Sequence, residues 1–294
     1  MNNVITSTFS TGEFHGYNVK YSPFRKNFIA CASSQNYGIA GAGHHTDGLF
    51  DVTWSELLPD QLITSCGDGS IQIWDLSVSP NPIRKYHIHN EEVYSVEWNP
   101  RNALTYILSA SWDKTVKTWD PFVERLVCSY VDHMDQVYEA CWSPHCFQTF
   151  SSVSGDRTLK LWDIRQRRAC ASFPHETEVL CCDWSKSDTD IIATGTTDGR
   201  IFEWDTRKML DPLFILAGHE YAIRQLKFSP FERGRLASVS YDFTTRFWNW
   251  NVPHALQILH GHSEFVYGLD FNPKKRNEVC DCAWDSLLCV YNDI

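Results

Sequence analysis

The chain has 294 residues, 43% hydrophobic and 14% aromatic, with 12 Trp and a formal net charge of −10. That composition supplies a large core and excludes a disordered chain. The acidic balance disfavours nucleic acid, whose phosphates are held by Lys and Arg, and suits a basic peptide better.

The start, MNNVITSTFSTGEF, has neither the basic flank nor the apolar block of a secretory signal. No apolar run reaches the roughly 18 residues that span a bilayer. A soluble protein of the cytosol, without direct membrane insertion, is the expectation. NVITSTF (3–9) alternates like a strand but has no partner strands of its own. GYNVKYSPF (16–24) and FIACAS (28–33) read as two strands and YGIAG (37–41) as a third. The following GIAGAGHHTDGLF (38–50) raises the question of a phosphate loop or a metal site. A phosphate loop needs a glycine turn leading into a helix N-terminus, whereas here one strand leads to another. His44 and His45 have no third ligand near them in sequence. Most of the 11 Cys sit inside apolar runs, as buried free thiols do, so a disulfide framework is not expected. With no C-x-x-C pair, neither is a structural metal. No cofactor is expected either.

From residue 51 onward the pattern repeats. DVTWS, SVEWN, EACWS, CCDWS, QLKFS and GLDFN each read as one short strand, and SASWDKTVKTWD as two strands around a turn at Asp113. RLVCSY (125–130) is a further strand of the same unit. Trp74, Trp119, Trp162, Trp204, Trp248 and Tyr291 are spaced by 45, 43, 42, 44 and 43 residues. Each stands six residues after an Asp: Asp68, Asp113, Asp156, Asp198, Asp242 and Asp285. His89, His133, His175, His219 and His262 precede five of these Asp by 23 or 24 residues. Trp54, Trp98, Trp142, Trp184, Phe228 and Phe271 keep the same beat.

Four short strands per period of about 43 residues, closing on W-D, is the pattern of WD40 repeats. The chain is identified as a member of that family, which implies an all-β propeller. The resemblance also implies that each His, turn Asp, strand hydroxyl and Trp form one hydrogen-bonded unit, a structural rather than catalytic role. Counting blades leads to a seven-bladed WD40 β-propeller in a single domain spanning 1–294. Blade 1 covers about 15–43 and blades 2–7 about 45–294. Residues 3–9 are expected to pair as the outer strand of blade 7, leaving no open inner edge. Blade 1 is short: Tyr21 to Trp54 is 33 residues, where later blades need 42 to 44. It therefore lacks most of its outer strand. His45 stands nine residues before Trp54, as His89 does before Trp98, and so takes the structural His position of blade 2.

Candidate ligand-binding residues are those at the start of each first strand and just before each turn Asp. The first set is Tyr17, Phe50, Tyr94, Tyr138, Leu180, Arg224 and Tyr267; the second is Gly67, Trp112, Gly155, Thr197, Tyr241 and Trp284. Glu92, Glu178 and Glu264 lie beside the first set, and Asp47 precedes Phe50. Aromatics beside carboxylates suit a ligand both apolar and basic. Both sets are read as an exposed rim.

Several stretches are more particular than a generic repeat: DGLFDVTWSE (47–56), EEVYSVEW (91–98), VYEACWSPH (137–145), SGDRTLKLWDIR (154–165), YAIRQLKFSPF (221–231) and SYDFTTRFWN (240–249). With HGYNVKYSPF and QNYGIAG they resemble the receptors for the type 2 peroxisomal targeting signal (PTS2), from about Gly16 to Tyr291. That resemblance implies a receptor for an amphipathic signal helix near the N-terminus of peroxisomal matrix proteins. It implies cargo bearing PTS2, a co-receptor and peroxisomal docking-complex proteins as partners, and shuttling between cytosol and peroxisome. Glu92 is the first choice for the carboxylate that meets the helix's Arg, followed by Asp47, Glu178 and Glu264. The alternative is a general WD40 scaffold, such as a ubiquitin-ligase adaptor or chromatin subunit. No G-x-S-x-G, H-E-x-x-H or Walker loop is present, so an enzyme is not expected.

Overall fold

The computed structural model describes residues 5–35, 48–99, 106–208 and 211–292. These residues form six four-stranded antiparallel sheets and one two-stranded sheet, with no helix among them. The protein is an all-β WD40 propeller. Each four-stranded blade is named here by the aromatic that ends its third strand. The Trp162 blade is typical, with strands Val137–Trp142, Thr149–Ser154, Thr158–Asp163 and Ala171–Pro174 in spatial order. Its strands hold because apolar side chains alternate inward: Trp142 faces Phe150 and Phe150 faces Trp162 across the two ladders. Phe150 and Trp162 stack at 5.8 Å and 10°, a cross-strand row of the kind that stabilises sheets.

The innermost strands are neighbours in chain order. They run Leu49–Trp54, Val93–Trp98, Val137–Trp142, Val179–Trp184, Ile223–Phe228 and Val266–Phe271. His15–Tyr21 of the two-stranded sheet, paired with Ile29–Ser34, sits between the last and the first of these and closes the circuit. The remainder of the first unit, YGIAG and His45 included, lies outside the described residues. At the other end of the chain, Ile5–Ser10 pairs antiparallel with Leu287–Tyr291 as the outermost strand of the Tyr291 blade. The alternating N-terminal run thus supplies the fourth strand that the C-terminus lacks.

Polar side chains staple the inner strands together. Asp51 accepts the Val96 amide at 2.8 Å, Glu97 that of Trp142 at 2.5 Å and Glu139 that of Cys182 at 2.9 Å. Asp183 accepts from Phe228 at 2.8 Å, Gln225 from Leu269 at 2.6 Å and Asp270 from Tyr21 at 2.8 Å. Asn18 completes the ring by donating to Asp51. A buried carboxylate is tolerated when such donors meet it.

Two backbone devices shape the face that carries the repeat His and Asp. The residue after each repeat Asp takes a left-handed conformation: Gly69, Lys114, Arg157, Gly199, Phe243 and Ser286, with φ between 64° and 82°. This closes each hairpin as a turn with a bulge. At Gly69 and Gly199 a Cβ would come within 2.5 Å of the His89 and His219 carbonyl oxygens, so glycine is demanded there by close approach. The second device is a β-bulge in every innermost strand, skipping Tyr17, Phe50, Tyr94, Tyr138, Leu180, Arg224 or Tyr267 in the ladder. A bulge re-aims the unpaired residue.

Candidate peptide-binding face

The repeat His, Asp and strand hydroxyl join in three blades, and in two of these the Trp completes the expected unit. In the Trp162 blade, Trp162 Nε1–H donates to Ser152 Oγ at 2.8 Å, and Ser152 Oγ lies 2.7 Å from His133 Nε2. His133 Nδ1 meets Asp156 at 2.8 Å. The Trp248 blade repeats this with Ser238, His219 and Asp242. His89, Ser109 and Asp113 join in the same way in the Trp119 blade, but the Trp119 indole N–H has no hydrogen-bond partner among the described residues. Burial pushes all three imidazoles below their ordinary value despite the carboxylates. Burial alone would raise Asp113, Asp156 and Asp242, but the imidazole, a Thr hydroxyl and a backbone amide hold each well below the usual carboxylate range. A neutral His donating to an ionised Asp is the resulting state.

Two blades depart. His175 and Asp198 do not pair: Arg200 takes the Asp198 carboxylate at 2.6 Å, and His175 Nδ1 turns to the Phe173 carbonyl at 3.2 Å. Arg200 stands two residues after Asp198, where the Trp119, Trp162 and Trp248 blades carry Thr115, Thr158 and Thr244, and its charge-assisted pair occupies the carboxylate in place of the imidazole. In the Tyr291 blade, His262 has carboxylates on both sides, Asp285 at 3.0 Å on Nδ1 and Asp281 at 2.9 Å on Nε2. Burial opposes its charge, yet the two carboxylates push its pKa up to about 12. Cys289 lies close enough that Nε2, an Asp281 oxygen and Sγ fall within 4.8 Å of one another. Both ring nitrogens are already engaged, so this cluster is an ion triad rather than an open ligand set.

The bulge residues are not the exposed rim that the sequence suggested. Tyr17, Phe50 and Tyr267 are 4%, 8% and 6% exposed and pack in one cluster with Tyr94, Tyr241, Phe265 and Trp284. Tyr17 contacts Phe50 and Tyr267 edge-on, each at 5.1 Å, and Tyr267 stacks on Trp284 at 4.9 Å. Arg224 lies over Tyr94 at 4.6 Å and over Tyr267 at 5.3 Å. Tyr17 meets residues of the sheets on either side of its own, whereas Arg224 and Tyr94 come from sheets that are not neighbours and meet across the propeller axis. The bulge turns them inward, so they plug the mouth of the channel.

The second set surrounds this plug. Six repeated hydrogen bonds pin it to the start of each inner strand, from the amides of Gly67, Trp112, Gly155, Thr197, Tyr241 and Trp284 at 3.0 or 3.1 Å. Trp112, Tyr241 and Trp284 are half-buried, as are Tyr94 and Tyr138, leaving ring edges at the surface. Tyr94 stacks on Trp112 at 5.3 Å, and the Tyr138 hydroxyl reaches Glu178 at 3.3 Å. Glu92 is half-buried, Glu178 and Glu264 are exposed, and Asp47 lies outside the described residues. Sequence reasoning missed that every described link following a repeat His carries acid: Glu91 and Glu92, Asp135, Glu176 and Glu178, Glu220, and Glu264. The signal was legible, since these stand one to three residues after the His. Exposed Met134, Tyr221 and Phe243 lie on the same links and turns. A carboxylate crown over an aromatic floor can hold a ligand that is basic on one side and apolar on the other.

The repeat family described as "WD domain, G-beta repeat" matches residues 41–75, 80–120, 124–163, 168–205, 210–249 and 254–292. The chain is 42% identical to the "Peroxisomal targeting signal 2 receptor" of Mus musculus, over 95% of this chain and 94% of that protein. The chain belongs to the peroxisomal targeting signal 2 receptor family. It is 39% identical to the receptor of that name from Dictyostelium discoideum, covering 88% of this chain and 89% of that one. It is also 38% identical to "Peroxisome biogenesis protein 7" of Arabidopsis thaliana, with 95% of each covered.

In this member of the peroxisomal targeting signal 2 receptor family the opposite mouth of the channel has different chemistry. A cavity of about 300 Å³ there is lined by Lys20, Asp51, Glu97, Glu139, Asp183 and Lys227 among others. Lys227 reaches Glu139 at 3.4 Å, and Lys186 reaches Asp183 at 2.9 Å. Burial pushes the Glu97 carboxyl up to about 7. Most of these groups are the inter-blade staples, so their charge is spent on holding the ring.

Proposed function

We propose that this protein is an import receptor that binds the type 2 signal helix of peroxisomal matrix proteins in the cytosol. With a co-receptor it delivers them to the docking-complex proteins at the peroxisome, shuttling between cytosol and organelle. The observation that carries the reading is the carboxylate crown around the aromatic plug on one face, in a chain of this family. An amphipathic helix laid on that face gains from apolar contact with Trp112, Tyr241 and Trp284. Its Arg gains from a carboxylate whose desolvation strengthens the pair. An affinity near ~1 μM needs only about 8 kcal/mol; the outer carboxylates of the crown mainly steer.

The propeller is further proposed to be one seven-bladed domain across 1–294, with the two-stranded sheet as a shortened first blade. Support comes from its staples to both neighbours, Asp270 to the Tyr21 amide and Asn18 to Asp51. Glu92, Tyr94, Trp112, Tyr138, Glu178, Tyr241, Glu264 and Trp284 are proposed to border the ligand, with Tyr17, Phe50 and Tyr267 supporting them from beneath.

Titration calorimetry with a synthetic signal helix tests the reading. Glu92→Arg is expected to abolish binding while circular dichroism stays unchanged. Intact binding by that variant would remove Glu92 from the site. Failure of the wild type to bind, with and without a co-receptor, would favour a scaffold for some other peptide.

A further inference from the structure

One blade places a charge at a position where four of the others carry an apolar side chain. The residue before the W-D aromatic is Ile73, Leu161, Phe247 and Val290 in four blades and Thr118 in a fifth. It faces the next blade: Leu161 packs in the cluster holding Val179 and Trp184, and Phe247 in that holding Val266 and Phe271. In the Trp204 blade this residue is Glu203. It is 2% exposed, and neither carboxyl oxygen has a hydrogen-bond partner among the described residues. A buried carboxyl without a partner is among the more destabilising features a fold can keep.

Glu203 lines a cavity of about 420 Å³ between the Trp204 and Trp248 blades, within the size range of ligand pockets. Asp188, Asp190, Asp205, Arg207, Arg233 and Trp250 surround it. The two guanidinium groups are already engaged. Arg207 binds Asp205 at 2.9 and 2.8 Å, and Arg233 binds Asp188 at 2.7 and 3.1 Å while lying over Trp250. Four carboxyls thus face two cations, and Glu203 is the acceptor left over. At the mouth stand Leu213 and Phe214, both exposed. Phe214–Ala217 is the last strand of its sheet, with no further strand paired to it among the described residues. Such an edge accepts an extended chain.

We propose that this cavity is a second binding site, which takes an arginine or lysine side chain of an extended partner segment, with Glu203 as its acceptor and flanking apolar residues on Leu213 and Phe214. A polypeptide fits better than a free amine because the apolar mouth and open strand edge offer contacts only a flanked residue can use. The site lies at the strand ends opposite Asp198 and His219, so it does not compete with the face proposed for the signal helix, and its test is independent of that reading. Burial, aided by Asp188, pushes the free Glu203 carboxyl up to about 8. A cation entering the cavity would displace that proton to solvent.

The test uses the full chain and three probes: acetyl-Leu-Arg-Phe-amide, its neutral twin with citrulline for arginine, and arginine amide alone. Binding is followed by NMR of the Trp250 indole and by calorimetry. The arginine peptide is expected to bind the wild type about tenfold more tightly than its citrulline twin, as one charge-assisted pair allows. Glu203→Leu, which restores the residue type of Leu161, is expected to erase that preference. Glu203→Gln, isosteric and uncharged, should do the same and serves where the leucine variant does not fold. Equal binding of the two peptides, absence of binding to the wild type, or an unchanged preference in both variants would overturn the proposal. Arginine amide binding as tightly as the peptide would overturn the assignment to a polypeptide.

Discussion

The Trp162 and Tyr291 blades occupy equivalent places in the ring but solve the same polar problem with opposite charge. In the first, Ser152 is donor and acceptor at once, so a neutral His133 can accept from it and donate to Asp156. In the second, Asp281 stands where Ser152 does and accepts only. His262 must then carry a proton on both nitrogens. The Thr245 hydroxyl of the adjacent blade helps Asp281 from outside at 2.5 Å. The blade requires an unbroken chain of donors and acceptors; it does not require particular residues. Exchanging one hydroxyl for a carboxylate turns a neutral relay into an ion triad.

The largest expected effect comes from removing the central imidazole. His262→Ala leaves Asp281 and Asp285 buried without their cation and should cost about 3–5 kcal/mol in urea unfolding. His133→Ala removes neutral hydrogen bonds and should cost about 1–3 kcal/mol. Equal losses would dissolve the distinction between the two blades.

A smaller effect, but a sharper one, is the sign of the pH dependence. The His133 pKa lies below its unfolded value, so its contribution is full above about pH 6.5 and is lost as pH falls. The His262 pKa is pushed up to about 12, so its contribution is full below about pH 6.5 and is lost as pH rises toward that value. Relative to wild type, the deficit of His133→Gln should therefore shrink on acidification and that of His262→Gln on alkalinisation. Imidazole NMR at pH 7 should find His133 neutral and His262 charged. Two neutral rings would contradict the triad.

The smallest effect belongs to the third arrangement, in the Trp204 blade. Arg200→Ala should release Asp198 to His175, with stability changed by no more than about 1 kcal/mol. The His175 pKa, which burial pushes down to about 4, should rise as the carboxylate approaches. An unmoved pKa would show that Arg200 is not what keeps the pair apart.

How far the sequence could be read depended on whether a residue's role is local. The series of Trp, His and Asp announced the blades because each member acts within its own repeat. NVITSTF was legible as the closing strand because it alternates without neighbours and the last blade lacks a strand. Tyr17, Phe50 and Tyr267 were read as rim residues, because a one-residue bulge reverses the side from which alternation is counted. Arg224 was noticed as a rim position, but its seat on Tyr94 depends on two sheets that meet only across the axis. Glu203 was visible as a charge among Ile, Leu, Phe and Val, although its lack of a partner was not.

The sequence by itself determined the blade, the hairpin turns and the candidate His–Asp units, since these rest on spacing within about 43 residues. Tertiary structure decided which of those units form, which aromatics reach the surface and which carboxyls are left unpaired. The reason is physical: burial and competing partners, such as Arg200 for Asp198, come from packing in three dimensions. Ring closure then brings together side chains that no repeat contains on its own.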